Sequence, residues 1–180
     1  EMIEKTISTF GAIDILVNNA GVNGGHISNC SEEMYQTIMD TNLKGVFFLS
    51  KIVSDYMIKN GIKGNILNLA SSSSVRPATS VYAISKWGIK GLTIGLAKNL
   101  IKHGIVVNGI APGPTATPML VNTESNDISL PNNPSLRYAM PEEIANIALV
   151  LTSSMGRMIV GDIVYVTGGA GTITVDDVSY

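Results

Sequence analysis

The chain predicts an α/β fold: a doubly wound parallel sheet with helices on both faces, in three layers. Three observations predict it. Short apolar runs rich in Val and Ile recur along the 180 residues. Stretches of roughly 10 to 20 residues with helical patterning separate them, as crossovers between parallel strands require. Each apolar run ends in Asn, Ser, Gly or Pro, where loops carrying a site would sit.

The elements follow in order. Met2 to Phe10 reads as a helix. Ile13-Asp14-Ile15-Leu16-Val17 is an apolar, β-branched run of the kind that forms a buried parallel strand. It leads into Asn18-Asn19-Ala20-Gly21, a loop where backbone comes close to something else. Ser31 caps the next helix, with Glu32 and Glu33 in the first turn, where carboxylates suit the helix dipole. A longer helix runs from Thr41 to Asn60 with an amphipathic stripe of Val46, Leu49, Val53, Tyr56 and Met57. Gly64 to Ala70 is a second strand and ends in the four serines 71–74. A helix from Ser80 to His103 stops at Gly104, the residue favoured just past a helix end. Ile105 to Ile110 is a third strand, leading to Pro112-Gly113-Pro114-Thr115-Ala116-Thr117. Residues 118–134 are rich in Asn, Ser and Pro and read as a loop. Pro141, with Glu142 and Glu143, opens another helix. Asp162 to Val166 is the last strand, followed by Thr167-Gly168-Gly169. No repeat or linker divides the chain, so residues 1–180 read as one domain.

Composition narrows the function classes. Hydrophobic residues make up 45% and charged residues 14%, which suggests a large buried surface, including surface covered by a preceding part of the protein or by other subunits. A net charge of −2 gives no reason to expect nucleic acid or an anionic membrane as partner. Cys30 is the single cysteine, so no disulfide framework within the chain is expected. His26 and His103 have no metal-like partners at useful spacing and read as surface histidines; no metal site is expected. No apolar run is long enough to span a membrane and no secretory leader is visible, so a cytoplasmic protein is expected.

One pair carries chemistry. In Val81-Tyr82-Ala83-Ile84-Ser85-Lys86, Tyr82 and Lys86 are four residues apart on a predicted helix and project from one face. An ammonium beside a phenol favours the phenolate and brings proton transfer within reach of ordinary pH. Tyr35, Tyr56, Tyr138 and Tyr165 have Met39, Asn60, Glu142 and Gly169 at that spacing, so the pairing is particular to Tyr82.

With its surroundings, this pair gives a resemblance. Asn-Asn-Ala-Gly at 18–21, Asn42 in the following helix, serines before Tyr82-x-x-x-Lys86, then Pro112-Gly113-x-x-x-Thr117 resemble, in order, the motifs of the short-chain dehydrogenase/reductase family. The likeness runs from Glu1 to about Gly171 and includes the helix opening Arg137 to Ala145. The resemblance implies a Rossmann-like fold and an NAD(P)-dependent oxidoreductase that interconverts a secondary alcohol and a ketone, with NAD or NADP as cofactor. It implies Tyr82 as general acid/base. Lys86 would lower the pKa of Tyr82 and hold the nicotinamide ribose hydroxyls. Ser71 would bond the substrate oxygen, with Ser72 a rival in the serine run, and Asn42 would hold a water near the lysine. Asn42 inside a helix also fits a kink or local cap. Asn18, Ala20 and Gly21 would line the adenosine side of the cofactor. Pro112, Gly113, Thr115 and Thr117 would approach its carboxamide. Residues 118–134 would be a substrate lid, ordered only with ligand.

The chain also departs from the family pattern. The opening strand and the Gly-rich turn Thr-Gly-x-x-x-Gly-x-Gly, which receives the cofactor pyrophosphate, are absent; roughly 60–80 residues would precede Glu1 at about 30 per βαβ unit. The sequence thus reads as the C-terminal two-thirds of a longer protein. Two further readings stay open: a 3-oxoacyl-[acyl-carrier-protein] reductase, as against a sugar, polyol or steroid alcohol dehydrogenase, and a non-catalytic fragment or scaffold subunit. The expected partners are a small carbonyl or alcohol substrate and further copies of the chain, as a homodimer or homotetramer. Helices 41–60 and 80–103 would form that interface, with Gly88, Gly91 and Gly95 allowing close helix approach.

Overall fold

The computed structural model describes residues 1–117 and 127–173. Strands β1 (Ile15–Asn18), β2 (Asn65–Leu69), β3 (Val106–Pro112) and β4 (Ile163–Val166) lie side by side in chain order. All three pairings are parallel, with Asn18 opposite Asn68, Asn68 opposite Gly109 and Gly109 opposite Ile163. Parallel neighbours need a crossover, and helices supply it. The helices are α1 (Met2–Phe10), α2 (Glu32–Met39), α3 (Gly45–Lys59), α4 (Val81–Leu100) and α5 (Pro141–Thr152). This is the expected doubly wound α/β architecture.

Apolar side chains cover both faces of β2 and β3. On one face Val53 and Met57 of α3 and Ala97 and Leu100 of α4 pack against Ile66 and Val107. On the other, Leu67 and Ile110 meet Leu151, Ile144 and Ile147 of α5. This is why those strands read as unbroken apolar runs. Burying each Val, Leu, Ile or Met here contributes about 1.5–3 kcal/mol. β1 stands at one end of this row of four described strands. Leu16 packs into the first of these clusters, while Ile15 and Val17 on its other face are about half exposed.

Helix ends are set as expected. The Ser31 hydroxyl accepts from Met34 N–H at 3.2 Å and the Ser80 hydroxyl from Ala83 N–H at 3.1 Å. The Glu143 carboxylate reaches back to Met140 N–H at 2.8 Å and also takes both arms of the Arg137 guanidinium, at 2.7 and 2.8 Å. The guanidinium bonds, then the Met140 N–H, hold the Glu143 carboxyl down at about 2. Gly104 ends the α4 run in the left-handed region (φ 76°), which is costly for any side chain-bearing residue.

Three features differ from expectation. The helix expected to start at Thr41 belongs to a run that begins at Glu32, passes through a π-helical turn at Asp40–Lys44 and continues to Lys59. Asn42 lies at the centre of that turn. The loop 118–134 lies partly outside the described residues, but 127–134 is not loose. An antiparallel bridge joins Ser129 to Arg137, and buried Asn133 donates to Thr167 C=O at 3.2 Å while accepting from Ser135. The lid expectation for 118–126 falls on residues outside the description. Finally, Gly88 packs within the chain: a Cβ there would fall 2.8 Å from a Leu43 methyl, whereas Gly91 and Gly95 face open space.

Candidate active site

A cleft of about 680 Å³ opens at the carboxyl ends of β2 and β3, the end of an α/β sheet where ligands bind. Its walls include Ser71 and Ser72 after β2, Pro112, Gly113, Thr115 and Thr117 after β3, and Tyr82 on α4. The local sequence explains the convergence. The serine run forms a single 3-10 turn, Ser72–Val75, capped by the Ser71 hydroxyl accepting from Ser73 N–H at 3.1 Å. That bond uses an oxygen lone pair and leaves the Ser71 O–H free to donate. Gly113 is needed for space: a Cβ there would come within 2.8 Å of the Thr167 backbone.

Lys86 lies beneath the cleft, one helical turn beyond Tyr82. Its ammonium sits 5.6 Å from the centre of the Tyr82 ring and donates to Leu69 C=O at 2.7 Å. The residue is only 5% exposed. Burial pushes the ammonium pKa down from 10.5 to about 8.

Asn42 is 1% exposed, and each of its polar atoms is engaged. Its carbonyl oxygen accepts from Val22 N–H at 2.8 Å, and its amide donates to Val22 C=O at 2.9 Å and to the Ser85 hydroxyl at 3.1 Å. Through these bonds the π-helical turn clamps the loop after β1. They account for the turn, since the side chain holds the helix against that loop. Gly21 lies close by: a Cβ there would touch the Asn42 oxygen at 3.5 Å and the Lys86 ammonium at 3.7 Å. With one hydrogen on Leu69 C=O, the Lys86 ammonium keeps donors that a sugar hydroxyl could take. The residues present therefore fit the ribose end of a nicotinamide cofactor.

Asn18 sits elsewhere. Its amide is turned into the protein, donating to Ser50 at 2.9 Å and to Asn68 at 2.8 Å, and Asn68 donates on to Thr93 at 2.9 Å. These bonds tie β1 to α3 and β2 and leave its backbone and carbonyl oxygen for a ligand. Ala20 stands in the loop between it and Gly21.

Sequence reasoning missed several cleft residues. Arg76 and His26 both line it, although His26 reads as a surface residue. An antiparallel bridge to Ser80 holds His26 there, with Ile27 N–H on Thr79 C=O at 3.0 Å and Val81 N–H on Gly25 C=O at 2.8 Å. No local signal announces this loop-to-helix pairing across more than 50 positions. Ser85 was also passed over. Its place between Tyr82 and Lys86 was the available signal. Among the described residues no group of three His, Cys, Asp or Glu is placed to hold a metal. None of the described helices is long and apolar enough to cross a membrane.

Comparison with known proteins bears on this site. A family model described as enoyl-(acyl carrier protein) reductase matches residues 1–171. Glucose 1-dehydrogenase 2 of Bacillus subtilis is 38% identical over 175 residues, covering 93% of this chain and 68% of that protein. The 3-oxoacyl-[acyl-carrier-protein] reductase FabG of Thermotoga maritima is 36% identical over 174 residues, covering 94% and 70%. A solved 4-hydroxyisoleucine dehydrogenase complexed with NADH superposes with a TM-score of 0.83 at 28% identity, covering 96% and 75%. The fold, the cleft and these similarities agree: the chain belongs to the short-chain dehydrogenase/reductase family of NAD(P)-dependent oxidoreductases.

Proposed function

We propose that the protein interconverts a secondary alcohol and a ketone, with Tyr82 moving the proton. The observation that carries this is the placement of Tyr82 in the cleft wall with the buried Lys86 ammonium 5.6 Å from its ring. When bound, NAD(P)H supplies a hydride to the carbonyl carbon. In reduction the Tyr82 hydroxyl gives its proton to the carbonyl oxygen, and in oxidation the phenolate takes it back. The Lys86 ammonium favours that phenolate, and its remaining donors would hold ribose hydroxyls. The Ser71 hydroxyl would orient the substrate oxygen, and Ser72 shares the same wall. Asn42 would hold the floor of the site and, through it, a water on the proton path. Pro112, Gly113, Thr115 and Thr117 would meet the carboxamide end, and Asn18, Ala20 and Gly21 the adenosine side.

The substrate is the finer question. The FabG relative favours a 3-oxoacyl thioester, and glucose 1-dehydrogenase 2 favours a polyol or sugar. Initial rates of the whole protein on acetoacetyl thioester, acetoin and a polyol set, each with NAD(H) and NADP(H), decide between them. Turnover of at least one is expected. No turnover of any with either cofactor would leave the non-catalytic scaffold as the better account.

The same reading includes self-association. Phe47, Phe48 and Ile52 of α3 and Trp87 and Ile94 of α4 are 43–51% exposed, and Gly91 and Gly95 leave room for another helix. These apolar faces would be buried in a cytoplasmic homodimer or homotetramer. Light scattering should give a multiple of the chain mass; a monomer would contradict it.

A further inference from the structure

We infer that Ser85 is a positioning residue, one that fixes Asn42 and Tyr82 relative to each other. This rests on the reading of the cleft as a dehydrogenase site.

Ser85 is fully buried on α4, between Tyr82 and Lys86 in sequence. Its hydroxyl donates to Tyr82 C=O at 2.7 Å and accepts from the Asn42 amide at 3.1 Å. The two bonds use the hydroxyl in both senses. A serine in a helix commonly donates to a carbonyl three or four positions back, and nothing more need follow. Here the second bond reaches 43 positions away, to the one side chain that clamps the π-helical turn and the Val22 loop. Asn42 has two amide hydrogens, of which one goes to Val22 C=O and the other to Ser85. Without Ser85 that second hydrogen is buried with no acceptor, a state the protein escapes only by turning or shifting the carboxamide. Rotation would break the paired bonds to Val22, next to Gly21, which borders the Lys86 ammonium. The chain of contact thus runs from the Tyr82 helix, through Ser85, to Asn42 and the loop that borders the ammonium. Ser85 touches neither the cleft nor a reacting atom.

The test is a double-mutant cycle on the whole protein, with Ser85→Ala, Asn42→Ala and the pair, read in kcat and in the cofactor KM. Ser85→Ala should lower kcat about 10-fold or more with the cofactor KM little changed. The double variant should lose no more than Asn42→Ala alone, because the serine acts through the asparagine. Ser85→Cys, which keeps a weak donor and acceptor, should recover part of the loss. A wild-type kcat in Ser85→Ala would overturn the inference, as would losses that multiply in the double variant. Should Ser85→Ala fold poorly, judged by thermal melting, Ser85→Cys is read instead: a kcat between those of the parent and Asn42→Ala supports the inference, and a parent kcat overturns it. Tyr82→Phe separates the two claims: if it abolishes turnover while Ser85→Ala does not matter, only the positioning role fails.

Discussion

Replacing Tyr82 by Phe is expected to lower turnover by about 100- to 10,000-fold, the range that a positioned proton donor contributes. The substitution removes one oxygen and keeps the ring that faces the Lys86 ammonium. The cleft wall, the α4 backbone and the Ser85 bond to Tyr82 C=O all survive it. Cofactor binding and melting temperature should therefore stay near those of the parent. The loss should appear in kcat, because the proton is needed in the transition state and not for binding. Initial rates on the best substrate of the panel, with cofactor titration alongside, provide the check. A Tyr82→Phe protein with full turnover would remove Tyr82 from the mechanism.

Lys86→Met is the second large effect, and it should pull function and stability apart. Turnover should fall at least about 100-fold, since the phenolate loses its neighbouring charge. Stability should rise. Burial depresses the ammonium pKa from 10.5 to about 8, so holding the charge in the folded state at neutral pH costs about 3 kcal/mol, at about 1.4 kcal/mol per pKa unit. The lost bond to Leu69 C=O offsets part of this, leaving an expected gain of about 1–3 kcal/mol at pH 7. The sign with pH follows from proton counting. Between pH 8 and 10.5 the unfolded chain holds a proton on this lysine that the folded chain has shed, so parent stability rises with pH across that window. Below pH 8 the cost is fully present, and above 10.5 it is gone. The advantage of Lys86→Met should thus shrink as pH climbs from 8 to 10.5, as urea titrations at several pH values would show. A variant less stable than the parent at pH 7, or a difference that ignores pH, would contradict the account of a strained ammonium.

The sequence carried the strands and most helix ends because their causes are local. Runs such as Ile105 to Ile110 are apolar because both sheet faces are covered, and Ser31, Ser80 and Gly104 act within a turn of themselves. The Tyr82–Lys86 pair was legible for the same reason, as spacing on one helix fixes its geometry. The rest depended on contacts between distant positions. The π-helical turn at Asp40–Lys44 follows from bonds between Asn42 and Val22, 20 positions apart. The inward turn of the Asn18 amide also follows from its own strand. Strand alternation puts it on the face of Leu16, toward α3 and α4, and there its amide meets Ser50 and Asn68.

The central claim is that this cleft brings a carbonyl carbon to a reduced nicotinamide while Tyr82 supplies the proton. Its most direct test gives the whole protein a reduced cofactor carrying deuterium at the transferred position, together with the best ketone of the panel, and locates the label in the product by mass spectrometry. The account predicts one deuterium on the new carbinol carbon and none exchanged with solvent. Product formed without the label, or cofactor bound with no transfer to any carbonyl, would contradict it.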